Sequence, residues 1–143
     1  MAEAILRKKL KDQGAQLVSV QSAGTAAAPG LPASFIGVSV LRSHGIELIN
    51  HRSQPVTKKL MDKFDLALAM ATDHYDFLIE KFPKNQHKVH LFMNYGREDQ
   101  VEDPNVVDPI TGDWELYEEV YQLLDKEMER ITAKVINESM NKY

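Results

Sequence analysis

Cysteine is absent from all 143 residues. That absence excludes disulfides, thiolate metal ligands and a thiol nucleophile anywhere within the chain. No apolar run approaches the ~20 residues of a membrane-spanning helix, and the opening Met1-Ala2-Glu3 is not the start of a secretory leader. Positive charge is not in excess: 17 Lys and Arg stand against 21 Asp and Glu, for a net charge of -4. A nucleic acid or an anionic membrane surface is therefore not favoured as a partner. There is no internal repeat, low-complexity tract or linker. What remains is 43% hydrophobic and 27% charged, the balance of a globular protein. A chain of this length suits a single domain, 1–143, and should bury roughly two-thirds of its unfolded surface. The expectation is a soluble, cytoplasmic protein.

Another absence lies at the front. "MAEAILRKKL" reads as an amphipathic helix over 2–13, yet no Ser, Thr, Asp or Asn precedes it as a cap, and no strand or turn feeds it. Gly14 is its expected stop. "QLVSV" at 16–20 alternates and is rich in β-branched residues, predicting a strand. The small-residue loop 22–33 carries the breakers Pro29, Gly30 and Pro32. Helical spacing returns over 33–44, closed by Gly45, and Thr57 is placed to cap a short helix over 58–63. "FDLALAM" at 64–70 is a continuous apolar run, the pattern of a parallel strand covered on both faces. Thr72 or Asp73 should cap a helix that ends at Phe82-Pro83. "KVHLF" at 88–92 predicts a third strand. After a loop with two Asp-Pro pairs, 113–141 forms the longest helix. Leu116, Val120, Leu123, Leu124, Met128, Ile131 and Val135 make its apolar stripe.

Strands alternating with helices imply a three-layer α/β fold with a small parallel sheet. Only three strands are visible. A doubly wound sheet normally begins with a strand before its first helix, and here none precedes it.

Seven segments together resemble the low-molecular-weight protein-tyrosine-phosphatase family across nearly the whole chain. They are "MAEAILRKKL", "SVQSAGT" at 19–25, "GLPA" at 30–33, "LRSHGI" at 41–46, "HRSQPVT" at 51–57, "FDLALAM" and "VVDPITG" at 106–112. The match rests on their order and spacing rather than on any one piece. The resemblance implies a four-stranded sheet whose first, central strand carries a Cys-x5-Arg-Ser/Thr loop, followed by a helix beginning near "AEA". Neither that strand nor that loop occurs in this chain, and Cys-x5-Arg appears nowhere else in it. The expectation is a family chain that starts at an internal Met. The loss of the central strand is expected to expose Ile5, Leu66 and Leu68.

In the family's chemistry the thiolate attacks phosphorus, backbone N–H groups cradle the phosphoryl oxygens, and the loop arginine stabilises the transition state. No metal or organic cofactor is implied, and the partner implied is a phosphorylated protein. Asp108 in "DPITG" resembles the general acid that protonates the leaving group and then activates water; read without the family, it is an Asp-Pro turn before the last helix. Asp103-Pro104 competes for the role but lacks the following Gly. Ser22 and His51 resemble side chains that brace the phosphate loop, against plainer readings as a turn hydroxyl and a loop imidazole. Arg52 reads as a solvated charge.

Eukaryotic members place aromatics after Asp-Pro and in the loop after "SA". This chain has Ile110 and Thr111, and Ala26, Ala27 and Ala28, at those places. Such positions look more like bacterial members, some of which act on phosphoarginine. Trp114 is expected to pack at the start of the last helix. The sequence thus points to a protein phosphatase scaffold, inactive as the chain stands. The alternative is a non-catalytic binding protein that kept the scaffold. The oligomeric state stays open.

Overall fold

A computed structural model describes residues 1–142. Helix α1 spans Ala2–Asp12, α2 Phe35–Ser43, α3 Lys58–Lys63, strand β1 Ala67–Ala69, and α4 Thr72–Lys81. A 3-10 turn, Pro83–Lys88, leads into β2, Val89–Leu91, and α5 is Trp114–Met140. By internal contacts the chain divides into two compact units. One comprises, among the described residues, 1–22, 29–53 and 108–142; the other comprises 23–28 and 54–107.

In the first unit, α1 and α2 each lie against α5. Their ends follow local chemistry. Gly14 and Gly45 take φ of +75°, a backbone open to glycine at no steric cost. After α2 the Gly45 N–H donates to Arg42 O and the Ile46 N–H to Leu41 O, the paired bonds of a Schellman stop. At the other end of α2, Ser34 Oγ accepts from the Gly37 N–H. Asp113 caps α5 by accepting from the Leu116 N–H at 3.0 Å.

The buried face of α5 is rotated from the predicted stripe. Val120, Leu124, Met128 and Ile131 are buried as expected, but Tyr117, Tyr121, Glu127 and Thr132 join them. Leu116, Leu123 and Val135 are only half-buried. The tyrosines go inward because their polar groups and rings find partners there. The Tyr117 hydroxyl lies 2.8 Å from Ser34 Oγ, and the Tyr121 ring stacks on His44 with centroids 3.8 Å apart. Ile5, expected to be exposed, is fully buried on α1.

The second unit holds the sheet. Strands β1 and β2 pair in parallel, with Ala67 opposite Val89, Leu68 opposite His90 and Ala69 opposite Leu91. Met61, Ala69, Leu78, Phe82 and Val89 form its core. Thr57 caps α3 as expected, accepting from the Leu60 N–H. Helix α4 departs from expectation at its start. Its cap position is Ala71, and Asn105 Oδ1 takes the Thr72 N–H at 2.8 Å and the Thr72 hydroxyl at 3.2 Å. A distant amide thus replaces the local cap. Leu66 and Leu68, also expected to be exposed, are half-buried.

The sheet is two-stranded among the described residues, not three-stranded. Residues 16–20 have the alternating pattern of a strand but pair with none. Their polar groups are taken locally and by α1 instead. The Val18 N–H donates to Ala15 O, and Arg7 Nη2 donates to Val20 O at 2.8 Å. Leu17 consequently points fully into solvent. Alternation marks a segment able to be a strand; only a neighbouring strand makes it one.

Candidate active site

Of the predicted site residues, Ser22 and His51 come together, and they do so on a third residue, Glu3. Glu3 lies in the first turn of α1, where the positive end of the helix dipole favours a carboxylate. Its side chain is only 15% exposed. Glu3 Oε2 accepts from the Ser22 N–H at 2.9 Å and from Ser22 Oγ at 2.5 Å. The same oxygen lies 3.8 Å from His51 Nδ1. Glu3 Oε1 accepts from Arg7 Nη2 at 2.6 Å, one helical turn further on. Ser22 is thereby hydrogen-bonded to the start of α1, and His51 lies beside the same carboxylate.

His51 is held there by its loop. The Ser53 N–H donates to Leu31 O and the Gly30 N–H to Ser53 O, each at 2.8 Å. Ser53 Oγ accepts from the Leu31 N–H at 2.9 Å. Arg52 is exposed, but it is not merely a solvated charge. Its Nη1 donates to His51 O at 2.7 Å and Ile49 O at 3.2 Å, clamping the backbone around the imidazole. Met1 stands at the cap position of α1 without a side-chain bond to the first-turn N–H groups.

Asp108 is placed differently. It is exposed, and its Oδ1 accepts from the Ile110 N–H at 3.1 Å, closing an Asx turn. The Gly112 N–H then donates to Pro109 O at 2.7 Å, and the Asp113 cap begins α5. Among the described residues no hydrogen bond or ion pair joins Asp108 to the Glu3 cluster. Ile110 and Trp114 beside it are 69% and 48% exposed. Trp114 therefore packs less closely at the start of α5 than its sequence position suggested.

Asp103, the competing acid, is spoken for. Its Oδ1 accepts from the Asn105 N–H at 3.0 Å and from Asn105 Nδ2 at 2.8 Å. Those bonds, the backbone one first, hold its carboxyl below the usual carboxylate range. A carboxyl held ionised is a poor proton donor. Its task is to orient Asn105 toward the start of α4. Among the described residues, no group of three or more His, Asp or Glu side chains is placed to hold a metal ion. No described helix is long and apolar enough to cross a membrane.

The residue that sequence reasoning missed is Glu3. Its signal was an acidic side chain in the first turn of a helix without a cap, which reads as a simple dipole partner until Ser22 and His51 are brought to it.

The chain matches known phosphatases in both sequence and structure. Residues 1–141 match the family described as low molecular weight phosphotyrosine protein phosphatase, and the chain belongs to it. It is 33% identical over 140 residues to a protein-arginine-phosphatase of Geobacillus stearothermophilus, covering 96% of this chain and 88% of that one. It is 28% identical over 126 residues to the low molecular weight protein-tyrosine-phosphatase Etp of Escherichia coli K12, covering 88% and 78%. Among solved structures, the YwlE arginine phosphatase from Geobacillus stearothermophilus superposes with a TM-score of 0.86 at 29% identity. That alignment covers 99% of this chain and 87% of that one.

Proposed function

We propose that this chain has the scaffold and the general acid of a protein phosphatase acting on phosphorylated side chains of proteins, with phosphoarginine favoured over phosphotyrosine. The observation that carries the reading is the Glu3–Ser22–His51 cluster at the start of α1. Ser22 and His51 are there the braces for a phosphate-binding loop, and Glu3 sets the position of both. Asp108, exposed on its turn, is the general acid. It gives its proton to the leaving nitrogen or oxygen as the P–N or P–O bond breaks. It then takes a proton from the water that attacks the phospho-enzyme.

Phosphoarginine is favoured by the absence of aromatic side chains at Ile110, Thr111 and Ala26–Ala28. A phosphotyrosine ring has little to stack on there. The identity with protein-arginine-phosphatases points the same way.

Without a cysteine, the 143-residue chain has no thiolate to attack phosphorus. It is expected to release no phosphate from para-nitrophenyl phosphate, and phosphate-inhibited turnover by the purified chain overturns that expectation. The site assignment is tested by fusing a strand and a Cys-x5-Arg-Ser loop before Met1. The fusion should hydrolyse phosphoarginine protein faster than phosphotyrosine protein. Asp108→Asn in the fusion should lower kcat by about 10²-fold or more, the usual contribution of a positioned acid. An Asp108→Asn fusion as active as its parent refutes the acid role.

A further inference from the structure

Asn105 ties the loop before Asp108 to the start of α4. Its Oδ1 accepts from the Thr72 N–H at 2.8 Å and from the Thr72 hydroxyl at 3.2 Å. Its Nδ2 donates to Asp103 Oδ1 at 2.8 Å, and its backbone N–H donates to the same oxygen at 3.0 Å. Both lone pairs of the amide oxygen and one amide proton are thus engaged, from two sides. Pro104, between Asp103 and Asn105, fixes its own φ and stiffens the link. The next residue continues the anchor, because the Val106 N–H donates to Met70 O at 2.8 Å, just beyond β1. Upstream, the loop is tied by the Val101 N–H to Asn94 Oδ1 at 3.0 Å.

Val107 alone separates this anchor from Asp108. Beyond Asp108 the Ile110 N–H closes the turn, and the Asp113 cap begins α5. The acid turn is therefore held at both ends, by Asn105 and Val106 before it and by Asp113 after it. Asp108 itself is exposed, so close packing does not place its carboxyl. Its position depends on where the backbone at either end is fixed. That position matters to a proton donor, since a displacement of about 1 Å can cost about 10²-fold in rate.

We infer that Asn105 is a positioning residue for Asp108, fixing the backbone from which the acid turn springs. The inference rests on the reading of Asp108 as the general acid. Ordering one residue of backbone changes the population of a single conformation by about 5–30-fold, and releasing the Asn105 clamp is expected to cost that much.

Nitrogen-15 relaxation of the full chain is the first test. In the parent the Val107 and Asp108 amides should have order parameters of about 0.85, those of a rigid backbone. In Asn105→Ala they should fall to about 0.6 or below. The Leu60 and Leu116 amides, capped by Thr57 and Asp113, should hold their values. Asp103→Ala leaves both Thr72 bonds in place and should shift residues 107 and 108 the same way by less. Asp103→Asn keeps an acceptor oxygen and should match the parent. Unchanged order at 107 and 108 in both alanine variants overturns the inference. The second test uses the Cys-x5-Arg-Ser fusion and two substrates. Asn105→Ala should lower kcat/KM for phenyl phosphate by about 5–30-fold. For para-nitrophenyl phosphate the loss should stay below about threefold, because the better leaving group needs less of the acid's proton. Equal losses on the two substrates mark a merely structural role and overturn the inference. If Asp108→Asn also lowers both equally, the acid assignment itself fails. If Asp108→Asn is selective and Asn105→Ala is not, only the role of Asn105 fails.

Discussion

Glu3→Ala removes the one carboxylate on which the candidate site is assembled. In the parent, Glu3 Oε2 takes two hydrogen bonds from Ser22, at 2.9 and 2.5 Å, in a side chain 15% exposed. A hydrogen bond to a charged group contributes about 1.5–3 kcal/mol when shielded from water. The two share one oxygen, so the pair is taken as about 3 kcal/mol rather than the full sum. The Arg7 contact adds little, because its guanidinium is 62% exposed and such pairs one turn apart contribute about 0.3–0.5 kcal/mol. Glu3→Ala should therefore lower stability by about 3 kcal/mol. Glu3→Gln keeps an amide oxygen for Ser22 and should lose about half as much. With a urea m-value of about 2 kcal/mol/M, the alanine variant shifts the midpoint down by about 1.5 M. Arg7→Ala loses this exposed pair and the exposed bond to Val20 O, together about 1 kcal/mol, and should move it by about 0.5 M, well short of Glu3→Ala. Amide exchange supplies a second reading, because the Ser22 N–H should exchange faster in Glu3→Ala. If Glu3→Ala unfolds within about 0.5 kcal/mol of the parent, the ordinary range for a surface change, Glu3 does not organise this site.

Thr132 is fully buried on α5, and its hydroxyl has no hydrogen-bond partner among the described residues. Thr132→Val keeps the shape, removes a desolvated polar group, and should raise the melting temperature by about 2–4 °C, the equivalent of about 1 kcal/mol; an unchanged or lower melt refutes it. Gly37→Ala places a methyl 2.9 Å from Ser34 Oγ and 3.2 Å from Tyr117 Cε1. Crowding of about 1–3 kcal/mol exceeds the ~1 kcal/mol gained in helix propensity, so the melt should fall, and a rise would mean that Tyr117 yields freely. Acid should weaken the fold through Glu118 and Asp62. The bond from Gln122, then that from His44, holds Glu118 below its ordinary value of 4.5 against burial. Bonds from Lys58 and Asn85 hold Asp62 below 3.8. Both bind fewer protons folded than unfolded, so their contribution is whole above those ordinary values. It is lost as pH falls through the lower folded ones. Glu118→Gln should flatten the decline of stability below pH 4.5, and a slope identical to the parent's refutes the assignment.

Much of the fold was legible because it is written in short range. The bounds of α3, its Thr57 cap and the Gly45 stop each depend on groups within about four residues. The site was legible in its members and not in its assembly. Ser22 and His51 carry no mark showing that they share a carboxylate, and Glu3 carries none showing that it is that carboxylate. The Asp108 turn was readable from Asp-Pro-x-x-Gly, while the engagement of Asp103 required Asn105 and, through it, the start of α4.

The amino-acid sequence alone therefore determined the helices, the ends of α2 and α3 and the turn that presents Asp108, since these are closed by hydrogen bonds between near neighbours, whereas the start of α4 waits on Asn105. Only the tertiary structure decided that 16–20 is not a strand, that α5 turns Tyr117 and Tyr121 inward, and that Glu3 gathers Ser22 and His51. Those outcomes depend on which groups meet across 13 residues or more. A strand without a neighbour, a tyrosine seeking a partner and a half-buried carboxylate all take their state from what the folded chain brings beside them.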